Sequence, residues 1–387
     1  ASLSDITPLS GWNTSSVEHM SHLFYYCNII SAAPLSSWNV SKVKTMDDML
    51  SHCNSLDNIS GLTNWVVSNV ITTSHMFYFC TDLQNIAPLS GWNTSNITDM
   101  SCMFEDCASL TDLTPLSNWN TNKVTNFSYM FCECETLVST NGLTNLVKNS
   151  AVNLSNMFEK CYLLSDISFL SNWNTTNVTS MKALFKECRA LSNISYLSTW
   201  TTSNVNDMSL MFYGCSITNV NALSSFVTNK VTTMSQMFQY CNQITDIGGL
   251  SNWTTTNVET MSYMFWGCSN ITNLTPLANW NVSRVYTMYG MFYGCSGITN
   301  LNPLANWNVS NVGYMNAMFE ACNGISNLTP LSNWNVSNVI KMDEMFSSCI
   351  NLIDASGINS WGSKLNANLT YTNMFSSNTT TKPSWYV

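Results

Sequence analysis

A repeat solenoid is the fold class predicted by this sequence of 387 residues. The expected form is a right-handed stack of about fourteen coils, each with a short parallel strand and a short helical or 3₁₀ turn. Two observations predict it. Cys recurs at Cys27, Cys53, Cys80, Cys107, Cys134, Cys161, Cys188, Cys215, Cys241, Cys268, Cys295, Cys322 and Cys349, and ten of these twelve steps are 27 residues while two are 26. Between one Cys and the next, the same apolar columns return in the same order. One such coil cannot bury its own apolar face, whereas stacked coils share a continuous core.

The register is cleanest after Cys268. Counting that Cys as zero, Ile271, Leu274, Leu277 and Trp280 fall at plus three, six, nine and twelve. Val285, Met288, Met291 and Phe292 follow at plus seventeen, twenty, twenty-three and twenty-four, and Cys295 restarts the count. The two short steps each lose a residue in a turn, after which the apolar register recovers. The Cys-x-x-Ile-x-x-Leu stretch is read as the segment carrying the strand. Met-x-x-Met-Phe-x-x-Cys is read as the helical or 3₁₀ turn, because positions i, i+3 and i+4 share one face. The Pro of the "TPL" and "APL" stretches (Pro8, Pro34, Pro88, Pro115, Pro276, Pro303, Pro330) is expected to end the strand and bend the chain. The "WNTSNV" and "WNVSNV" stretches form the returning corner, where Asn and Ser cap and turn. Met264, Phe265, Leu274, Leu277 and Trp280 are the expected core of one coil.

Length alone suggests two or three domains, but a periodic array is one elongated unit of any length. Residues 1–349 are therefore expected to form one solenoid, with 350–387 a degraded terminal coil and polar tail of the same domain. Residues 135–160, where Thr140 and Leu146 replace an aliphatic residue and the Trp, are read as a distorted coil within it. The face at Ala1–Trp12 starts inside a coil and is expected to be apolar enough to accept another. The chain starts at Ala1 with no visible signal peptide, and is read as a processed or cut product.

Charged residues make up only 9% of the chain against 45% hydrophobic, and the polar remainder is Asn, Ser and Thr. A net charge of −9, from 22 acidic and 13 basic residues, argues against nucleic acid, whose binding needs clustered Lys and Arg. No apolar run reaches the length of a membrane span.

The thirteen periodic Cys are read as a ladder of buried free thiols. Zinc is not expected, since there is no Cys-x₂-Cys pair and only four His. Cys102 and Cys132 lie outside the ladder on adjacent coils, within reach of a disulfide that would imply an oxidising compartment. His22, Asp48 and His75 share the plus-twenty-two column on successive coils, a line that could hold a metal or supply acid–base groups. The alternative is a solvated face. Asp57, Asp82, Asp112, Asp166 and Asp246 recur near the expected strands, and repetition marks a solvated column, not a catalytic pair. No hydrolase, metalloprotease, phosphate-loop or dinucleotide motif is present, so neither catalytic residues nor cofactors are expected. Roughly twenty Asn-x-Ser/Thr sequons occur, among them Asn13, Asn39, Asn93, Asn96, Asn174, Asn177, Asn281, Asn308 and Asn335. They are either glycosylation sites or the by-product of turn columns that favour Asn followed by Ser or Thr.

The signature W-[ND]-[TV]-S-x-V-x-x-M-x-x-M-F-x-x-C-x-x-[LI] resembles the BspA-type leucine-rich repeats, in the subgroup first noted in mycoplasma lipoproteins and found also in bacteria, protists and large DNA viruses. Trp92, Asn93, Thr94, Ser95, Ile97, Met100, Met103, Phe104, Cys107 and Leu110 are one instance, and the match covers nearly the whole chain. The resemblance implies a leucine-rich-repeat solenoid, secreted or surface-displayed, often an adhesin and not an enzyme. The coils here are longer than the commoner ones by the "TPL" or "APL" insert, and no lipobox or anchoring motif is seen. Two readings of function follow. One is a surface scaffold that binds a protein or glycan partner; the other is a subunit of an extracellular or virion-surface fibre, joined end to end by coil stacking.

Overall fold

The computed structural model describes residues 3–378 and 380–387. Of the face expected at Ala1–Trp12, Ala1 and Ser2 lie outside the described residues. The fold is a repeat solenoid. Its chain divides into two compact units, Ala1–Thr201 and Thr202–Val387, and the same coil is built in each.

Coils pair in parallel through isolated bridges, not through strands of several residues. In the first unit one line runs His19, Thr45, Thr72, Asp99, Asn126, Asn153 and Ser180, just ahead of the plus-twenty position of each coil. In the second unit the equivalent line runs from Asp207 through Thr233, Thr260, Thr287, Tyr314 and Lys341 to Thr370. A second and sparser set, such as Ser139 with Asp166 and Asn327 with Asp354, falls five residues after the Cys. The segment expected to be a strand therefore contributes at most one bridge per coil.

The 3₁₀ helices sit at the Pro stretch instead of at Met-Phe. Thr275–Leu277, Asn302–Leu304 and Thr329–Leu331 each carry Pro at an initial position. Pro opens these turns, because its missing N–H is not needed there and its φ is already set. The Asn or Asp two residues earlier completes the entry: Thr275 N–H donates to Asn273 Oδ1 at 2.9 Å, and Thr114 N–H to Asp112 Oδ1 at 2.9 Å. Asp166 and Asp246 do the same for Ser168 and Gly248. The recurring acidic column is thus partly structural.

The Met-Phe segment is neither helix nor strand. Met100, Cys102, Phe104 and Asp106 donate their N–H groups to the next coil, to Asn126, Ser128, Met130 and Cys132 carbonyls at 2.7–3.1 Å. The alternate groups, on Met103, Glu105 and Cys107, turn back within the coil to Met100, Cys102 and Phe104. This staircase of linked turns needs a left-handed residue at plus twenty-two and again at plus twenty-six, here Cys102 (φ 55°) and Asp106 (φ 58°). Each is the third residue of its turn, the place where a type II turn requires positive φ. The two columns hold Gly, Asn, Asp, Ala, Tyr, Glu and others across the chain, and no Val, Ile or Thr. A β-branched side chain at positive φ clashes with its own backbone.

Stacked inward columns fill the coil. Phe77 and Phe104 stack at 5.6 Å with rings 2° from parallel, and Phe292 and Phe319 at 5.5 Å. Each buried Trp donates Nε1–H to a Leu carbonyl one coil back, as Trp280 does to Leu250 at 3.1 Å. Ladder thiols also point at a carbonyl one coil back: Cys268 Sγ lies 3.1 Å from the Phe238 carbonyl and Cys134 Sγ 3.3 Å from that of Phe104. Cys at this column is small enough for the core and supplies a weak donor to a buried carbonyl. The column at plus fourteen holds mostly Thr or Val; Thr255 Oγ1 donates to Asn281 O at 3.0 Å. Met264, Phe265, Leu274, Leu277 and Trp280 are all buried, as expected.

Residues 135–160 keep the coil, with Leu146, Leu154, Met157 and Phe158 buried. The terminal stretch is less degraded than its composition suggests. Ile358 and Trp361 are fully buried, Thr381 bridges Asp354, and Trp385 repeats the ladder by donating Nε1–H to Ile358 O at 2.9 Å.

Candidate binding face

The staircase decides what reaches the surface. Residues at plus twenty, twenty-three and twenty-four turn inward, while those at plus twenty-one, twenty-two, twenty-five and twenty-six lie on the outer side of the coil, some exposed, as Tyr26 and Tyr289 are, and some covered by their neighbours, as Cys102 and Cys132 are.

In the second unit these columns assemble an aromatic platform. Tyr263 lies 4.6 Å from Tyr289 and 5.0 Å from Trp266, ring centre to ring centre. Trp266 in turn lies 5.3 Å from Tyr240 and 4.8 Å from Tyr293. Tyr240 is 43% exposed and Tyr289 40%, so one surface of the group stays in water. Glycine makes the packing possible: at Gly290 (φ 57°) a Cβ would come within 2.6 Å of the Tyr263 ring. The left-handed column therefore serves twice, once for the turn and once as the floor on which a ring lies. Burial and a hydrogen bond with Tyr289 hold the Tyr263 phenol protonated, well above its usual range.

In the first unit the same columns carry His52 between Tyr26 and Phe79, at 4.0 and 5.1 Å. Burial lowers the His52 pKa, against an opposing pull from Asp48. Further along stand Glu105, Asp106 and Glu133. Burial and the neighbouring carboxylates push Glu105 up to about 7 and Asp106 to about 6. Lys160 answers with an ion pair to Glu133 at 2.6 Å, and Lys186 with one to Glu159 at 2.6 Å. On a different side, Lys42, Lys44, Lys123, Glu18 and Ile71 line an open groove of about 610 Å³.

The expected site residues fall out as follows. His22, Asp48 and His75 do occupy one column, but they do not form one cluster. His22 Nε2 lies 3.5 Å from Asp48 Oδ2 and Nδ1 4.0 Å from Asp47. His75 instead groups with Cys102 and Glu105. Each coil presents its plus-twenty-two side chain next to groups at plus twenty-one and plus twenty-five as well, and these compete for the contact. The expected bridge between Cys102 and Cys132 is not formed: both are free thiols. Neither is at the surface, with 8% and 2% exposure. The left-handed turn at Cys102 sets its thiol against the Glu105 carboxyl instead. The ladder Cys are free as well, and burial holds Cys80, Cys107 and Cys134 well above the usual thiol range.

The sequon Asn residues have structural roles. Asn13, Asn39, Asn93, Asn174, Asn281, Asn308 and Asn335 each accept, through Oδ1, the N–H two residues on, at 3.0–3.2 Å. Asn96 and Asn177 donate Nδ2–H across to the preceding coil, to Ser68 O at 2.7 Å and Asn149 O at 2.8 Å. This is turn chemistry that explains the recurrence without glycans.

The family model described as "Mycoplasma protein of unknown function, DUF285" matches residues 2–87, 57–167, 152–275, 242–361 and 269–385. The chain belongs to the DUF285 family. No curated protein matches it. Among solved structures, this DUF285 chain is similar to a leucine-rich repeat protein from Bacteroides ovatus, with 14% identity, TM-score 0.47, and 87% of this chain and 75% of that one covered. A leucine-rich cell surface protein from Faecalibacterium prausnitzii gives 16% identity, TM-score 0.39, and coverage of 80% and 82%. An internalin from Listeria monocytogenes gives 19% identity, TM-score 0.33, and coverage of 80% and 78%. No helix among the described residues of the DUF285 chain is long and apolar enough to cross a membrane.

Proposed function

We propose that this DUF285 chain is a non-enzymatic, secreted or surface-displayed repeat scaffold that binds a protein or glycan partner in the manner of an adhesin. One observation carries the reading: Tyr240, Tyr263, Trp266, Tyr289 and Tyr293 pack against one another with tilted rings on the surface of the second unit, and two of them stay about two-fifths exposed. Tyr and Trp present a large apolar face and a polar tip at little cost in conformational entropy, which suits them to recognition. Rings held by one another lose less freedom on binding than isolated ones. The surface location rests on the resemblance of the repeat to BspA-type proteins.

The test is binding of the purified chain to a glycan array and to intact cells, beside the double variant Tyr240→Ala/Tyr289→Ala. Both residues are exposed, so the variant should fold normally and lose at least tenfold in affinity, on the order expected for removing central aromatic anchors. Equal binding by the two proteins would sink the platform as the site. A wild-type chain that bound nothing yet polymerised with concentration in sedimentation would favour the fibre instead.

A further inference from the structure

We infer that His75, Cys102 and Glu105 form a divalent metal site in the first unit, selective for a borderline-soft ion such as Zn²⁺. The sequence offers no Cys-x₂-Cys pair or other local zinc spacing. Stacking makes the site by another route. His75 and Cys102 hold the same left-handed column on adjacent coils, 27 residues apart, and Glu105 reaches in from the next turn of the Cys102 coil. One ligand atom from each lies within 4.8 Å of the other two.

The donor set fits the ion. Zn²⁺ takes thiolate, imidazole and carboxylate at about 2.0–2.3 Å, so its ligand atoms stand about 3.3–3.8 Å apart in a tetrahedron. Closing from the present spacing needs only side-chain rotation and a small shift. The charges balance as well: a thiolate, a carboxylate and a neutral imidazole around a dication sum to zero, which a half-buried pocket tolerates. Binding would release the Cys102 thiol proton to solvent, together with that of Glu105 wherever its carboxyl is protonated. Glu105 has no ion-pair partner among the described residues, so the metal would supply its counter-charge. The imidazole is already oriented. Ser74 Oγ lies 2.8 Å from His75 Nδ1 and 2.9 Å from Ser101 Oγ, leaving Nε2 for a ligand. An outer partner of this kind on the second nitrogen is characteristic of ligating His. Cys102 is buried but His75 and Glu105 are only half-buried, so the ion has a way in and a fourth position stays open to water. The exposed His22, Asp47 and Asp48 group offers one His and two carboxylates without a thiol, and suits a soft ion less well.

Co²⁺ is the probe, added to the full chain under a non-thiol reductant. The expected result is a thiolate-to-Co²⁺ charge-transfer band, displaced by Zn²⁺. Cys102→Ser should abolish the band, and His75→Gln and Glu105→Gln should each weaken binding at least tenfold, since losing a ligand costs more than the about 10–100-fold of losing an outer-shell partner. A band that persists in Cys102→Ser would place the ion on other thiols and overturn the assignment, as would no band in the wild type. Should the variants misfold by circular dichroism, alkylation of the wild type decides. Zn²⁺ must slow labelling of Cys102, and equal labelling with and without the ion would overturn the site.

Discussion

A single core position shows what the stack asks of a side chain. Phe265 is fully buried between Phe238 and Phe292, each with ring centres 5.7 Å away. Phe265→Ala removes two ring contacts and leaves a cavity that flanking coils cannot fill without breaking their own hydrogen bonds. The cost should be about 3–5 kcal/mol. In a repeat array the damage spreads to nearest neighbours first, so amide exchange should quicken around Phe238 and Phe292. Unchanged exchange there would mean the coils are not coupled through this column. His52 makes a different residue-scale point. Its pKa is lowered because the aromatic stack keeps water from the charged form. A depressed folded pKa means that the unfolded chain binds the proton more readily. Its contribution to stability is therefore complete above the ordinary value of 6.5 and is lost as pH falls through the folded value. An NMR titration of the ring should give a midpoint below 6.5, and His52→Phe should reduce the loss of stability between pH 7 and pH 5. A midpoint at or above the ordinary value would show that the stack is wet.

The informative element is the staircase of turns. Ala317 occupies its left-handed column at φ 52° and is 4% exposed. Ala317→Val keeps an apolar side chain but puts a β-branch at positive φ, and should cost more than the about 1–2 kcal/mol that a left-handed conformation costs an ordinary residue. Ala317→Gly removes that strain and should be neutral or stabilising by up to about 1 kcal/mol. A urea midpoint that fell in both variants alike would show that packing, and not backbone conformation, rules the column. A helical reading of this segment gives the opposite order, because Gly costs a helix about 1 kcal/mol relative to Ala. The helix expectation arose because Met, Met and Phe at i, i+3 and i+4 share a face in a helix and also turn inward in two linked turns. Inward periodicity could not separate the two backbones. The signal that could have done so was present: two columns free of Val, Ile and Thr in a chain rich in Thr.

At the scale of the molecule, few charges and many hydrogen-bonding columns have one cause. Every coil must satisfy buried backbone groups that face another coil, and Trp Nε1–H, Cys S–H, Thr hydroxyls and Asn amides do this at fixed positions. Stability so distributed is a sum of neighbour terms, and unfolding should depart from a single two-state transition, as long arrays do. Calorimetric and van't Hoff enthalpies that agreed for the whole chain would argue against this. The outward columns escape these demands, which leaves them free to vary between coils. They carry a platform of Tyr and Trp in the second unit and His, Tyr and carboxylates in the first.

The sequence by itself determined the coil register, the inward columns and the free-thiol ladder, because a period repeated this often leaves one way to share a core. Met264, Phe265, Leu274, Leu277 and Trp280 could be placed from spacing alone. Only the tertiary structure decided the backbone route and the neighbours of each outward side chain. Column membership put His22, Asp48 and His75 in line and Cys102 near Cys132. The turn at each left-handed residue instead aims His75 at Cys102 and Cys102 at Glu105. Burial periodicity records which side of the coil a residue is on. The direction of a side chain along that surface depends on φ at one residue and on the coil stacked above it, and neither is written in the period.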